Sequence, residues 1–384
     1  MAFRVSSSIG LIACVVSMAS VPGLCRAQDA KPTIDAILKV WQTRQERVRT
    51  ARFELNCEET IHKGRVSFME GARQGGTGLQ PQTGPNPPRD YLVNGTSSIR
   101  LDGSRMRYSY DHQQWDPIDK KLYPEHYIDV FDGRMFKFLR NPASAQKLYP
   151  LAAVRTAKAS ESSPKLAIRP LILTFRGNHP QFFRDLGEYR VTGQSITVAT
   201  RPCLQLVRAS AGAEQRDLLY LDQERDYVVV REMILVHEAP NWQSDVTYAS
   251  DAAVGWVPRS WEYIVRVGKD GRVYQSGRRT IARYDINPQL DDNDFDIPFP
   301  PTTRVVDTSS GEGIQYVVRE NGEKGRGILT ANNPTYEDLQ KPAPRFNRGV
   351  LMAVWTAILV LALGGCMWVR RRRLLRDRPT HPEW

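Results

Sequence analysis

Apolar residues change their spacing twice along this chain, and each change marks a structural unit. Over residues 28–49 they recur at helical spacing. Ile34, Ile37, Leu38, Trp41 and Val48 share one face, while Lys39, Gln42, Arg44 and Arg47 lie largely opposite. Thr33 stands where an N-cap belongs. The pattern predicts one amphipathic helix that must bury its stripe against something. Across residues 51–307 the spacing shortens to two, which predicts strands. Asp102-Gly103, Asp132-Gly133, Asp270-Gly271 and Asn321-Gly322 are hairpin dipeptides, because Gly, Asn and Asp tolerate positive φ. Residues 227–237 are apolar almost throughout. Val228, Val230, Ile234 and Val236 take one face, and Tyr227, Val229, Met233 and Leu235 the other. Such a strand belongs in the middle of a sheet that is covered on one side and curved around something on the other. In 261–267, Trp261, Tyr263, Val265 and Val267 share a face opposite Glu262 and Arg266, the pattern of a half-exposed strand. Residues 73–90 and 152–163 read as loops, 164–177 as a short helix interrupted at Pro170, and 327–349 as a Pro-punctuated stalk. The fold class expected is mainly β (α+β): a large antiparallel curved sheet covered by the N-terminal helix.

The second change of spacing lies at the ends. Residues 9–21 form an apolar stretch too short to span a bilayer, preceded by Arg4 and followed by Cys25-Arg26-Ala27, a small-x-small site. This is the pattern of an export signal over residues 1–27, cleaved after Ala27. A lipoprotein signal ending at Cys14 or Cys25 is the competing reading. Residues 350–369 carry no charge, and about 20 apolar residues cross a hydrocarbon core of roughly 30 Å. Six arginines follow within residues 370–384, against Asp377 and Glu383. Arginines held on the cytoplasmic side predict a single-pass type I membrane protein. Its domain over residues 28–326 would lie outside the cytoplasm, in the periplasm of a double-membraned bacterium, and its tail inside. A removable C-terminal sorting tag is the variant reading.

Composition sharpens this picture only slightly. The net charge is +11, but the tail holds much of it, so the folded domain gives no case for nucleic acid. Of the five cysteines, only Cys57 and Cys203 fall in the folded domain. They would form one disulfide in an oxidising compartment, or else they are two small buried strand residues. No nucleophile elbow, zinc motif, Walker sequence or C-x-x-C is present. The domain histidines are His62, His112, His126, His179 and His237, with no pair four residues apart. Residues 291–296, DDNDFD, alternate oxygen ligands but lack the glycine of a calcium loop, and read as a solvated loop. Asn94-Gly95-Thr96 is a glycosylation sequon. Nothing here predicts a cofactor, a metal or an enzyme.

Several short motifs, taken in order, carry a resemblance. Helix then strand appears in residues 41–59. Tyr220-Leu221-Asp222-Gln223 looks like an aromatic-aliphatic-Asp-Pro strand end with Gln for Pro. Gly255-Trp256-Val257-Pro258 follows. Ile286-Asn287-Pro288, Phe295-Asp296-Ile297-Pro298, Pro301-Thr302-Thr303 and Val305-Val306-Asp307 close the series, with Thr302 at an expected Gly. The order resembles the superfamily of periplasmic lipoprotein carriers and receptors of the LolA/LolB type and their RseB/MucB-type sensor relatives, loosely over residues 32–307. The resemblance implies an unclosed β-barrel whose apolar hollow binds lipid or lipoprotein acyl chains without covalent chemistry. The expected lid is Ile34, Ile37, Leu38 and Trp41, and the expected wall includes Val228, Val230 and Ile234. The chain departs from the soluble carriers in its predicted anchor, which suits a tethered receptor or sensor with an envelope protein partner. Two alternatives stand beside this. One is a structural or protein-interaction ectodomain without a cavity. The other is an enzyme assembled from His126, His237 and residues 291–296.

Overall fold

The computed structural model describes residues 32–63, 68–69, 80–81, 87–116, 119–142, 149–156, 166–177, 186–209, 215–267, 271–341 and 355–368. The expected export signal, the tail over residues 370–384 and the outer part of the stalk lie outside the described residues. Thr33 caps helix α1 (Ile34–Arg47) by accepting the Ala36 N–H at 3.3 Å. The chain then enters β1 (Thr50–Ile61). After β2 (Phe68–Met69) and β3 (Gln80–Pro81), which pair only with each other, it forms a meander: β4 (Tyr91–Asp102), β5 (Arg105–Asp116), β6 (Lys121–Phe131), β7 (Met135–Pro142) and β8 (Leu151–Thr156). The tight turns β4–β5 and β6–β7 fall on the expected dipeptides, with Gly103 at φ +51° and Gly133 at +98°.

Helix α2 (Arg169–Arg176) interrupts the strands. A second meander follows: β9 (Arg190–Val198), β10 (Arg201–Ala209), β11 (Gln215–Asp222), β12 (Val228–Val236), β13 (Ala239–Asp251), β14 (Gly255–Val267) and β15 (Arg272–Ile286). The short strands β16 (Arg304–Asp307), β17 (Ile314–Val317) and β18 (Ile328–Leu329) and helix α3 (Tyr336–Gln340) complete the domain. One sixteen-stranded sheet results, in the order β18-β17-β16-β8-β7-β6-β5-β4-β1-β15-β14-β13-β12-β11-β10-β9. Its pairings are antiparallel except β16 with β8. The two meanders meet where β1 pairs with both β4 and β15. β9 and β18 do not pair with each other, so the sheet is unclosed. The strand predicted over 227–237 is the interior strand β12, as its two-faced apolar pattern requires.

Several local expectations are corrected. Residues 152–156, read as loop, belong to β8 with Ala152 and Val154 buried; small residues suit a site where β16 pairs alongside. Pro170 does not interrupt α2. It sits in the first turn, where its missing N–H costs no helical bond. Residues 328–340, assigned to the stalk, hold β18 and α3, and α3 buries Leu339. Arg44, expected on the polar side of α1, is buried and donates to the carbonyl of Asp226.

The C-terminal transmembrane helix expected over 350–369 is not supported. Residues 355–368 are helical and exposed, and this helix, α4, spans about 21 Å at 1.5 Å per residue. No helix among the described residues is long and apolar enough to cross a membrane.

Candidate functional site

The apolar faces converge around α2. All eight of its residues are buried. Leu171, Ile172 and Phe175 join one continuous core with Phe53 and Leu55 of β1, Tyr108 of β5, Val246 and Tyr248 of β13 and Trp261 of β14. Phe175 stacks on Phe53 at 5.5 Å, and the Thr174 and Tyr248 hydroxyls lie 3.2 Å apart. The indole N–H of Trp261 donates to the carbonyl of Ala167 at 2.8 Å. A helix about 10–12 Å wide thus touches β1 through Phe53 and β12 through Glu232, four strand steps or roughly 19 Å apart on a flat sheet. The sheet curves around α2, which packs on its inner face.

Helix α1 packs beside it. Ile37 and Trp41 form a second cluster with Leu173 of α2, Leu204 and Leu206 of β10, Leu219 and Leu221 of β11 and Val229 of β12, with Ile34 and Leu38 at its margin. The Trp41 indole donates to the carbonyl of Tyr227 at 2.9 Å. The four lid residues therefore come together on one side of the β10–β12 sheet. The wall residues do not join them. Val228 and Val230 belong to the other cluster, with Ile234 packed against it. Strand alternation hands the helix-facing position to Val229. The sequence pattern identified both apolar faces of β12 but not which one the helix covers.

Three of the places that bury charge bear on this core. Beneath the start of α2, Arg169 Nε lies 2.5 Å from Oε1 of Glu232 on β12, and both side chains are almost wholly buried. Burial pushes the Glu232 carboxyl up to about 7, although Arg169 pulls the other way. The neighbouring buried pair Arg208–Asp217 extends to Glu188. At the other end of α2, the buried guanidinium of Arg176 donates to the carbonyls of Val48 and Arg49, at 2.8 and 2.7 Å, and of Gly103 at 3.0 Å. It ties α1, the β4–β5 turn and α2 together. The third place is Arg279, between the rings of Tyr110 and Tyr263 at 5.1 and 5.2 Å. Both hydroxyls donate to Glu59, at 3.2 and 3.3 Å, and Arg279 comes within 3.5 Å of the same carboxylate.

The remaining sequence candidates have structural explanations. Cys57 and Cys203 are buried free thiols, so the disulfide is not formed. Six strand-to-strand steps separate β1 from β10, about 29 Å along the sheet, whereas a disulfide needs Cα atoms within roughly 7 Å. Residues 291–296 are docked rather than solvated. Asp294, Asp292 and Asp296 pair with Arg100, Arg105 and Lys137 at 2.6, 2.7 and 2.6 Å, and Phe295 is buried. His126 pairs with Asp111 at 2.6 Å, and His237 occupies the β12–β13 turn at φ +49°. These groups lie in separate places and form no common cleft.

A different histidine makes the contacts that motif reading missed. His62, just after β1, lies 3.1 Å from Asp90 through Nδ1 and 2.9 Å from Ser276 of β15 through Nε2. The three are 28 and 214 positions from one another in sequence, so no local motif could reveal them. Ser276 also lines an open groove of about 360 Å³ with Glu58, Leu92, Ile264 and Arg278.

No protein-family model matches the chain, that of the lipoprotein carriers included, and no curated protein matches it. Among solved structures it is similar to a porin-like protein from Bacteroides uniformis, at 8% identity over 61% of this chain and 98% of that one, with a TM-score of 0.20.

Proposed function

We propose that this chain is an envelope protein that binds lipid or lipoprotein acyl chains on the inner face of its curved sheet, by apolar contact and without covalent chemistry there. The observation that carries the reading is the occupancy of that face. It is covered by two helices, the eight-residue α2 and α1 beside it, rather than by a second sheet. Leu171, Ile172 and Phe175 contribute about 6 kcal/mol of burial between them, at roughly 2 kcal/mol each. About eight methylenes, at about 0.8 kcal/mol each, replace that contribution. A chain of twelve carbons or more can therefore match the burial of these three side chains. The motif order that resembles the lipoprotein carriers supports the same reading. The uncharged run over 350–369 and the arginines after it support tethering to a membrane, with the domain outside the cytoplasm.

The second reading is a protein-interaction ectodomain without a ligand cavity, and the Arg176 tie favours it by fixing α2 at one end. Photo-crosslinking of the full chain with a diazirine palmitate separates the two. Adducts mapped to α2 and to the inner face of β12–β14 are expected, and competition by unlabelled palmitate should remove them. Adducts confined to residues 350–369 would refute acyl binding by the domain and leave the interaction reading.

A further inference from the structure

The sheet topology brings His62, Asp90 and Ser276 to one place. β1 lies between β4 and β15, with Ile61 opposite both Tyr91 and Gln275 and Thr60 opposite Ser276. The residue following β1 and the residue preceding β4 therefore meet beside Ser276. Asp90 accepts the backbone N–H of Lys63 on Oδ1 at 2.6 Å, which leaves Oδ2 directed at His62 Nδ1, 3.1 Å away. A carboxylate only accepts, so Nδ1 carries the proton of the neutral ring. Nε2 is then the acceptor, and the Ser276 hydroxyl donates to it at 2.9 Å. Nucleophile, base and orienting acid each stand within hydrogen-bond reach of the next, the signature of an activated hydroxyl. The groove supplies the second, independent observation. It opens at Ser276 and offers an apolar strip, Leu92 and Ile264, beside one cation, Arg278, which lies 3.8 Å from Glu262, and the further carboxylates of Glu58 and Asp245.

We propose that Ser276 is a catalytic nucleophile, His62 its general base and Asp90 a positioning residue, and that this groove hydrolyses short acyl esters with an uncharged or cationic alcohol portion. The site is separate from the inner face. Gly277, the next residue, packs against Tyr263 and the Glu58 carbonyl, and alternation turns Ser276 to the opposite side.

The chemistry closes. Ser276 Oγ bonds to the acyl carbon as its proton passes to Nε2, and the carbonyl electron pair moves to oxygen beside Arg278. The pair returns and breaks the ester bond. The alkoxide leaves with the proton from Nε2. Water then repeats the attack on acyl-Ser276, giving its proton to Nε2. The acid departs as Oγ recovers that proton, so ester and water become acid and alcohol.

The test uses the full chain and a fluorophosphonate probe, which forms an Oγ–P bond and expels fluoride. An adduct mapped by mass spectrometry to Ser276 is expected, together with hydrolysis of p-nitrophenyl acetate that S276A abolishes. H62Q should slow both by about a hundredfold or more, the usual contribution of a positioned base. D90N should lower kcat while KM stays, with partial recovery in D90E. Near-UV circular dichroism checks that each variant is folded. Absence of an adduct at Ser276 in the folded wild type would overturn the proposal, as would equal labelling of wild type and H62Q. Either result would leave His62 as a tie between β1 and β15. Since acyl binding is read from adducts on α2 and the inner face, failure of one reading leaves the other standing.

Discussion

Glu232 offers the sharpest test of how α2 is held. Its folded-state value of about 7 exceeds the ordinary 4.5, because burial penalises the carboxylate more than Arg169 rewards it. Between about pH 4.5 and 7 the folded protein therefore retains a proton that the unfolded chain has lost. Unfolding free energy must fall as pH rises through that window. With about 1.4 kcal/mol per pH unit of difference, the loss approaches about 3.5 kcal/mol. E232Q is neutral throughout and removes this slope. R169M does the opposite. It leaves a buried carboxylate without its cation, which costs about 3–5 kcal/mol when the group is charged and much less when it is protonated. Urea melts at pH 5, 6, 7 and 8, followed by tryptophan fluorescence, measure both. Subtracting the E232Q series from wild type cancels every other titrating group. The expected difference declines with rising pH, and the cost of R169M grows from pH 5 to pH 8. An E232Q slope equal to wild type, or an R169M cost independent of pH, would refute the assignment of a buried ion pair beneath α2.

R176M removes the donors to Val48, Arg49 and Gly103, of which Arg49 keeps the Gly103 N–H, so a loss of about 2 kcal/mol or more is expected in urea melts, with R176K intermediate. G277A places a Cβ 2.8 Å from both the Glu58 carbonyl and the Tyr263 ring, and should cost about 1–3 kcal/mol by overpacking. F295A empties a buried site under the docked acidic segment and should cost about 3–5 kcal/mol, while the ion pairs of Asp292 and Asp296 alone, both exposed, hold little. Cys57 and Cys203 should react with Ellman's reagent only after denaturation and show no mass change on reduction of the native protein, since both are buried thiols.

What the chain reveals about itself divides along the range of the forces involved. Local signals were legible. Thr33 announced α1, and the Asp-Gly dipeptides announced turns, because capping and positive φ depend on neighbours in sequence. The two-faced run at β12 announced an interior strand, because a period of two is a property of the strand itself. Contacts between distant segments were not legible. The loop reading of residues 152–156 failed because β8 is specified by its partners β7 and β16 rather than by its small residues. The run at β12 gives two faces without saying which meets α1; Val229 does, while Val228 and Val230 lie in the core that holds α2. The acidic segment looked solvated because Arg100, Arg105 and Lys137 lie more than a hundred positions away. His62, Asp90 and Ser276 are the extreme case. Each alone is an ordinary polar residue at the end of a strand or within one, and only the pairing of β1 with both β4 and β15 aligns them. A site built across three strands leaves no spacing rule in the sequence. Its chemistry must be sought from the register of the sheet, where cross-strand neighbours are fixed, and that register also confines the imidazole between its two partners.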